Sequence, residues 1–171
     1  MITVITATEK EYSSIQDIAQ QTWPKTFGQI LSPEQIAYMV ELMYSLAAMR
    51  EQVQKKHHVF ILAKEQEEYI GYASYELNHT GSSKTKIHKL YLLPEAQGKR
   101  TGQLLIHEIA TRAQANRNTA LVLNVNRNNS AIRFYEKNGF KKTGEENINI
   151  GNGYLMEDYI FEKAIETGTL E

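Results

Sequence analysis

The stretch Leu90-Tyr91-Leu92-Leu93-Pro94-Glu95-Ala96-Gln97-Gly98-Lys99-Arg100-Thr101-Gly102-Gln103-Leu104-Leu105 passes from an apolar strand through a basic, glycine-bearing loop into a helix start. Backbone N–H groups in such a loop turn inward, and the helix N-terminus adds roughly half a positive charge. That combination binds phosphates. Lys99 and Arg100 add formal charge. No glycine-lysine-serine/threonine closes the loop, so it is not a Walker A loop. The three-glycine spacing of a dinucleotide fingerprint is also missing. Two readings stay open on these residues: a pyrophosphate site, or an ordinary turn with a solvated basic surface.

A second stretch, Leu123-Asn124-Val125-Asn126-Arg127-Asn128-Asn129-Ser130-Ala131-Ile132-Arg133-Phe134-Tyr135-Glu136-Lys137-Asn138-Gly139-Phe140, gives a buried strand and then a short helix over 130–138. Gly139 suits a left-handed helix stop, and Asn128 is a candidate N-cap. Other groups could carry chemistry. His88 falls on a strand whose alternation leaves its face undecided, and Glu76 ends the strand before it. His57 and His58 are adjacent, so in a strand they would face opposite ways and could not hold one ion together. We expect no metal site.

These groups need a scaffold. Ile2–Thr6 alternates as a short strand. Thr8 with Glu11 forms a capping box ahead of a first helix near 9–20. Ser32-Pro33-Glu34-Gln35 opens a second helix lined by Ile36, Met39, Val40 and Met43. A further helix runs from Leu46 to Lys55, and Trp23–Gly28 between the first two looks irregular. The period then changes. Val59–Lys64 and Tyr69–Leu77 form a hairpin, and Ile87–Leu93 is a third strand stopped by Pro94. A helix opens near Gly102, Ala120–Asn126 is a strand, and two final strands cover Phe140–Ile150 and Tyr154–Lys163. The expected fold class is α/β (α+β): a mixed, mostly antiparallel central sheet, splayed at one parallel pair, with helices on both faces. A crevice at that splay would accept a ligand.

Composition bounds the rest. The 171 residues suit a single domain over 1–171, with its core at 1–163 and a frayed tail at 164–171. Cysteine is absent, which removes disulfides, thiolate metal sites and thiol nucleophiles. A formal charge of −1 argues against bulk binding of nucleic acid or an anionic membrane. The longest apolar runs, such as Val59–Ala63, are too short to cross a bilayer. The first residues show no export signal, and a cytoplasmic protein is expected. Exposed terminal strands fit a homodimer.

In this order and spacing the two stretches resemble the GNAT superfamily of acetyl-CoA-dependent N-acetyltransferases. Gln97-Gly98-Lys99-Arg100-Thr101-Gly102 is similar to the family's glutamine/arginine-x-x-glycine-x-glycine/alanine loop. Asn128, Ala131, Ile132, Tyr135, Gly139 and Phe140 match its second motif. The likeness in element order covers roughly residues 1–163. It implies acetyl-CoA as cosubstrate, with no metal, and an amine as acceptor. It implies that Gln97, Gly98, Lys99, Arg100, Thr101, Gly102 and Gln103 surround the pyrophosphate. Leu92 and Leu93 would pair their backbone with the pantetheine arm, and Asn128 would contact that arm. Lys137 would approach a phosphate or stay solvated. Tyr135 would be the general acid on the leaving thiolate.

Arg100 departs from the pattern, which has glycine there. An arginine at positive φ carries a cost that glycine does not. Either the loop keeps a shape arginine tolerates, or Arg100 offers its charge to a phosphate. The layout is weakly closest to the bacterial polyamine N-acetyltransferases, which points to a small primary amine. Trp23, Phe27, Tyr38, Met39 and Tyr154 are candidates for its pocket, although core packing explains each singly. Glu41, Glu157 and Asp158 could attract a cation. Alternatives are a protein or peptide N-acetyltransferase, or a non-catalytic acyl-CoA-binding regulatory module.

Overall fold

The computed structural model describes residues 1–166. Its elements are β1 (Ile2–Thr6), α1 (Tyr12–Phe27), α2 (Pro33–Tyr44), α3 (Leu46–Gln54), β2 (Val59–Glu65), β3 (Glu68–Glu76), β4 (Lys84–Leu92), α4 (Thr101–Ala115), β5 (Ala120–Asn126), α5 (Ile132–Lys137), β6 (Lys141–Gly151) and β7 (Tyr154–Ala164). The strands form one sheet in the order β1-β2-β3-β4-β5-β7-β6. Every neighbouring pair is antiparallel except β4 and β5. The expected mixed sheet with one parallel pair is therefore present. Of the tail expected to fray, Ala164 closes β7 and the Ile165 N–H bonds to Thr119; residues 167–171 lie outside the described residues.

Local signals set the helix starts. Glu11 accepts hydrogen bonds from the Thr8 N–H at 2.8 Å and the Thr8 hydroxyl at 2.7 Å, which fixes a short 3₁₀ turn ahead of α1. Ser32 caps α2 by accepting from the Gln35 N–H at 3.1 Å, with Pro33 in the first turn. Such caps stabilise a helix by about 1 kcal/mol.

The irregular segment expected after residue 20 is instead helical, because α1 continues through Pro24 to Phe27. An internal proline costs a helix about 3 kcal/mol. Trp23 and Phe27, four residues apart, are both almost fully buried. Each large apolar side chain gains roughly 1.5–3 kcal/mol on burial, so the pair outweighs the proline.

Two apolar layers sandwich the sheet. One packs α4 and α5 on it through Leu105, Ile109, Leu121, Leu123 and Phe140. The other packs α1, α2 and α3 through Ile15, Trp23, Met39, Phe60 and Tyr72. Both faces are covered by helices, as expected.

A bulge in β4 decides what faces the second layer. Ser74 pairs with Lys89 and Tyr75 with Ile87, so His88 has no partner in the register. A bulge of this kind shifts alternation by one residue. Ile87, Leu90 and Leu92 therefore pack in the α4 layer, while Lys89 lies against Tyr44 and Phe60 in the α1–α3 layer.

Candidate active site

Strands β4 and β5 pair only over Lys84–Ile87 and Ala120–Leu123. Beyond Ile87 they part, leaving a crevice of about 1330 Å³. Small-molecule sites usually span ~300–1,000 Å³, so this one has room for two reactants end to end.

One end is the basic loop. Gln97, Gly98, Arg100, Thr101, Gly102 and Gln103 all line the crevice. Gly98 has φ 78° and Arg100 has φ 59°, both in the left-handed region. The loop thus keeps the conformation that glycine would favour, with arginine bearing the strain. The first intrahelical bond of α4 is from Leu104 N–H to the Arg100 carbonyl. The N–H groups of Thr101, Gly102 and Gln103 precede that bond and face the helix N-terminus. Gly102 has a packing reason as well: a Cβ there would meet the Phe134 ring at 2.8 Å. The open amides, the positive helix end and the Arg100 guanidinium fit a pyrophosphate.

The remaining loop and strand residues separate. Leu92 lines the crevice. Leu93 does not, and its N–H is taken by the Ile70 carbonyl at 2.9 Å. Lys99 turns away to an ion pair with Glu65 at 2.8 Å. Asn128 and Lys137 also stay outside the crevice wall, whereas Asn126 and Asn129 line it. Asn128 does not cap α5. That helix begins at Ile132 behind Ala131, and it is Asn129 that accepts the Ala131 N–H, at 2.9 Å.

Tyr135 sits on α5 and lines the crevice, buried to 8% exposure. Burial alone pushes its hydroxyl well above the usual phenol range, with no hydrogen-bond partner contributing. It stays protonated at neutral pH and has a proton to give. Gly139 follows the helix at φ 90°, the expected left-handed stop.

The other end of the crevice is polar in a way the sequence only partly showed. Asp158 on β7 stands opposite Asn126 in register. It is 7% exposed, and its Oδ1 has no hydrogen-bond partner. Burial raises its pKa, partly offset by Asn124, whose amide is 3.4 Å from Oδ2. Glu76 accepts from His88 at 2.9 Å and from His79 at 3.0 Å. The His58 and His88 rings stack at 3.9 Å. Burial holds both imidazoles below their ordinary range, His58 down to about 4. His58, Glu76 and His88 place one ligand atom each within 4.8 Å of one another. Nε2 of both rings approaches the same Glu76 Oε1, His58 at 3.7 Å and His88 at 2.9 Å. Exposed His57 has φ 59° and lies ahead of β2.

Of the expected pocket residues, Trp23, Phe27 and Met39 line the crevice. Tyr38 and Tyr154 pack on each other at 5.3 Å, with the Tyr38 hydroxyl bonded to the Ile150 carbonyl. Glu157 is exposed, and Glu41 borders a separate shallow depression. Of the lysines that line the crevice, Lys89 carried no signal under simple alternation, because the bulge sets its face. Asp158 had one: it shares a strand face with Met156, a charged residue at an inward position.

The sheet thus parts beyond Ile87, with the basic loop at one end of the crevice and the buried Asp158 at the other. Residues 28–157 match the family model of the acetyltransferase (GNAT) domain, and the chain belongs to that family. It is an acetyl-CoA-dependent N-acetyltransferase. An N-acetyltransferase of Mycobacterium tuberculosis is 30% identical over 144 residues, covering 81% of this chain and 91% of the relative. The spermidine N(1)-acetyltransferase of Thermoplasma acidophilum is 25% identical over 153 residues, covering 86% and 91%. Among solved structures, the PaiA N-acetyltransferase of T. acidophilum in complex with coenzyme A superposes with TM-score 0.82 at 24% identity, over 96% of this chain and 99% of that one. A GCN5-related N-acetyltransferase of Rhodopseudomonas palustris gives 0.79 at 18% identity, over 95% of each chain. Among the described residues no helix is long and apolar enough to cross a membrane.

Proposed function

We propose that the chain acetylates the primary amine of a small molecule by direct attack, with Tyr135 as general acid and Asp158 as the group that receives the amine's proton. One observation carries this reading: a buried hydroxyl and a buried carboxylate, neither fully paired within the protein, line the same crevice.

The cosubstrate supplies a thioester carbonyl. Main-chain N–H groups of Thr101, Gly102 and Gln103, with Arg100, hold its pyrophosphate. A primary amine has a pKa of about 10.4 and must shed a proton before it attacks. Asp158 orients the neutral amine and accepts a proton as nitrogen bonds to the carbonyl carbon. The carbon–sulfur bond breaks, and Tyr135 gives its proton to the departing sulfur. Proton exchange with solvent restores both residues. The products are an amide and a thiol. A polyamine acceptor is supported by the name of one relative and by Asp158. The lysines lining the same space weigh against it.

A single domain located in the cytoplasm and paired as a homodimer through the free edge of β6 belongs to the same proposal. Light scattering on the purified protein tests the dimer. The function is tested by thiol release from acetyl-CoA across small amines, amino acids and peptides. Cofactor binding without thiol release from any acceptor would refute it and favour the regulatory module.

A further inference from the structure

The crevice holds cations on β4 and just ahead of β2, apart from the basic loop. Lys56, Lys86 and Lys89 line it, the first just ahead of β2 and the others on β4. Lys86 lies six strand steps before Leu92, about 20 Å at ~3.3 Å per residue, and Lys89 three steps, about 10 Å; the loop proposed for the pyrophosphate begins beyond Leu92. Among the described residues none of the three forms an ion pair; the lysines that do are Lys64, Lys84, Lys99 and Lys142. Lys89 is buried. Its Nζ donates one hydrogen bond to Gln52 Oε1 at 2.7 Å and lies over the rings of Phe60 and Tyr44 at 5.2 and 5.5 Å. Even a neutral lysine amine has two protons to donate, so at least one remains for a ligand. Lys86 is half-buried, three residues earlier on β4.

The carboxylates in this space do not balance them. Glu76 is occupied by His79 and His88. Asp158 keeps one buried oxygen unpaired. The net offer to a ligand is one open carboxylate oxygen and three lysines without an ion-pair partner among the described residues. Lys86 is close enough to Asp158 for its charge to act on that carboxyl. A polyamine could place one nitrogen at Asp158, but its remaining ammonium groups would meet Lys86 and Lys56. A ligand with one amine and one anion satisfies both sides.

We infer that the acceptor is a zwitterion of the amino-acid class, its amine at Asp158 and its carboxylate at Lys86 and Lys89. This deepens, and rests on, the acetyltransferase reading above. The carboxylate takes no part in bond making. It fixes the amine's position, and Lys86 and Lys89 set specificity.

The test compares amines that differ only in a carboxylate: lysine with cadaverine, ornithine with putrescine, and spermidine as the polycation. Calorimetric binding to the coenzyme A-loaded protein gives a readout independent of turnover. Each aminocarboxylate is expected to bind at least tenfold more tightly than its decarboxylated twin, the usual scale of one charge-assisted contact. Lys86→Met should close that gap without weakening coenzyme A binding, and Lys86→Arg should keep most of it. Equal or reversed affinities, binding of neither twin, or a gap that survives Lys86→Met would overturn the inference. Failure of the acetyltransferase reading shows differently, as no thiol released from acetyl-CoA with any amine even where binding is measured.

Discussion

Asp158→Asn should make the protein more stable and far less active. The folded environment raises the Asp158 pKa through burial, and Oδ1 has no partner. The sign follows from linkage. A carboxyl whose folded pKa lies above its unfolded value of about 3.9 contributes stability below that value and loses it as pH rises through the folded pKa. At pH 7.5 the wild type has lost that contribution, and a neutral amide has not. The amide leaves the same atom unpaired but removes the charge, whose burial without a partner costs about 1–3 kcal/mol more than that of a neutral group. Asn124 and nearby Lys86 and Arg127 offset part of it, leaving about 1–2 kcal/mol. For a chain of this length that is a rise in Tm of about 2–8 °C at pH 7.5, shrinking as pH falls towards 4. Loss of a general base should lower kcat/KM by about 10²–10⁴ and remove the acid limb of its pH profile. Thermal melts at pH 7.5 and 4.5, with thiol release from pH 5 to 9, measure both effects. A lower Tm at pH 7.5, or an acid limb that persists in the variant, would refute the reasoning.

Tyr135→Phe removes a hydroxyl with no protein partner. Stability should therefore stay within about 0.5 kcal/mol of wild type while kcat falls about 10²-fold or more at unchanged coenzyme A affinity; parallel loss of both would remove Tyr135 as the acid. Arg100→Gly relieves a left-handed arginine. It should raise stability by up to about 1 kcal/mol, read by denaturant titration. It should also weaken coenzyme A binding about tenfold, read by calorimetry, if the guanidinium meets a phosphate. Lys89 is pushed down to about 7 by burial, against about 10.4 in the unfolded chain. Its depressed pKa means stability is present above about 10.4 and lost as pH falls through about 7. Lys89→Met should thus stabilise by about 1–3 kcal/mol at pH 6 and by much less at pH 10.5, measured by urea unfolding.

The elements whose signals are local were legible in the sequence. Thr8 with Glu11, and Ser32 with Pro33, mark helix starts through bonds three residues apart. Ala120–Asn126 is a strand with the bounds its apolar pattern gives. What the sequence hid depends on distant partners. Pro24 looked like a helix break because the burial that overrides it comes from elements far along the chain. Lys99 looked like a phosphate ligand because Glu65, which takes it, lies on another strand. The face of His88 could not be assigned because the bulge that decides it is a property of the β3–β4 pairing.

That bulge also explains why one strand serves two purposes. Up to Ile87, β4 pairs with β5 and packs Ile87 into the α4 layer. With strict alternation, Lys89 would follow Ile87 into that apolar layer, and Leu90 would face α1–α3. The extra residue instead turns Lys89 towards the same face as Lys86 and His88, and returns Leu90 and Leu92 to the core. It falls where pairing with β5 ends, so the splay and the change of face coincide. Deleting His88 should therefore remove the bulge and leave the faces as they are: Ile87, Lys89 and Leu90 then alternate strictly, with Lys89 still paired to Ser74 and opposite in face to Ile87. The deletion should melt close to His88→Ala, whereas deleting Leu90 should put Tyr91 or Lys89 into the α4 layer and melt well below Leu90→Ala. A His88 deletion that melts far below the alanine variant would show that the bulge does not set the faces of β4.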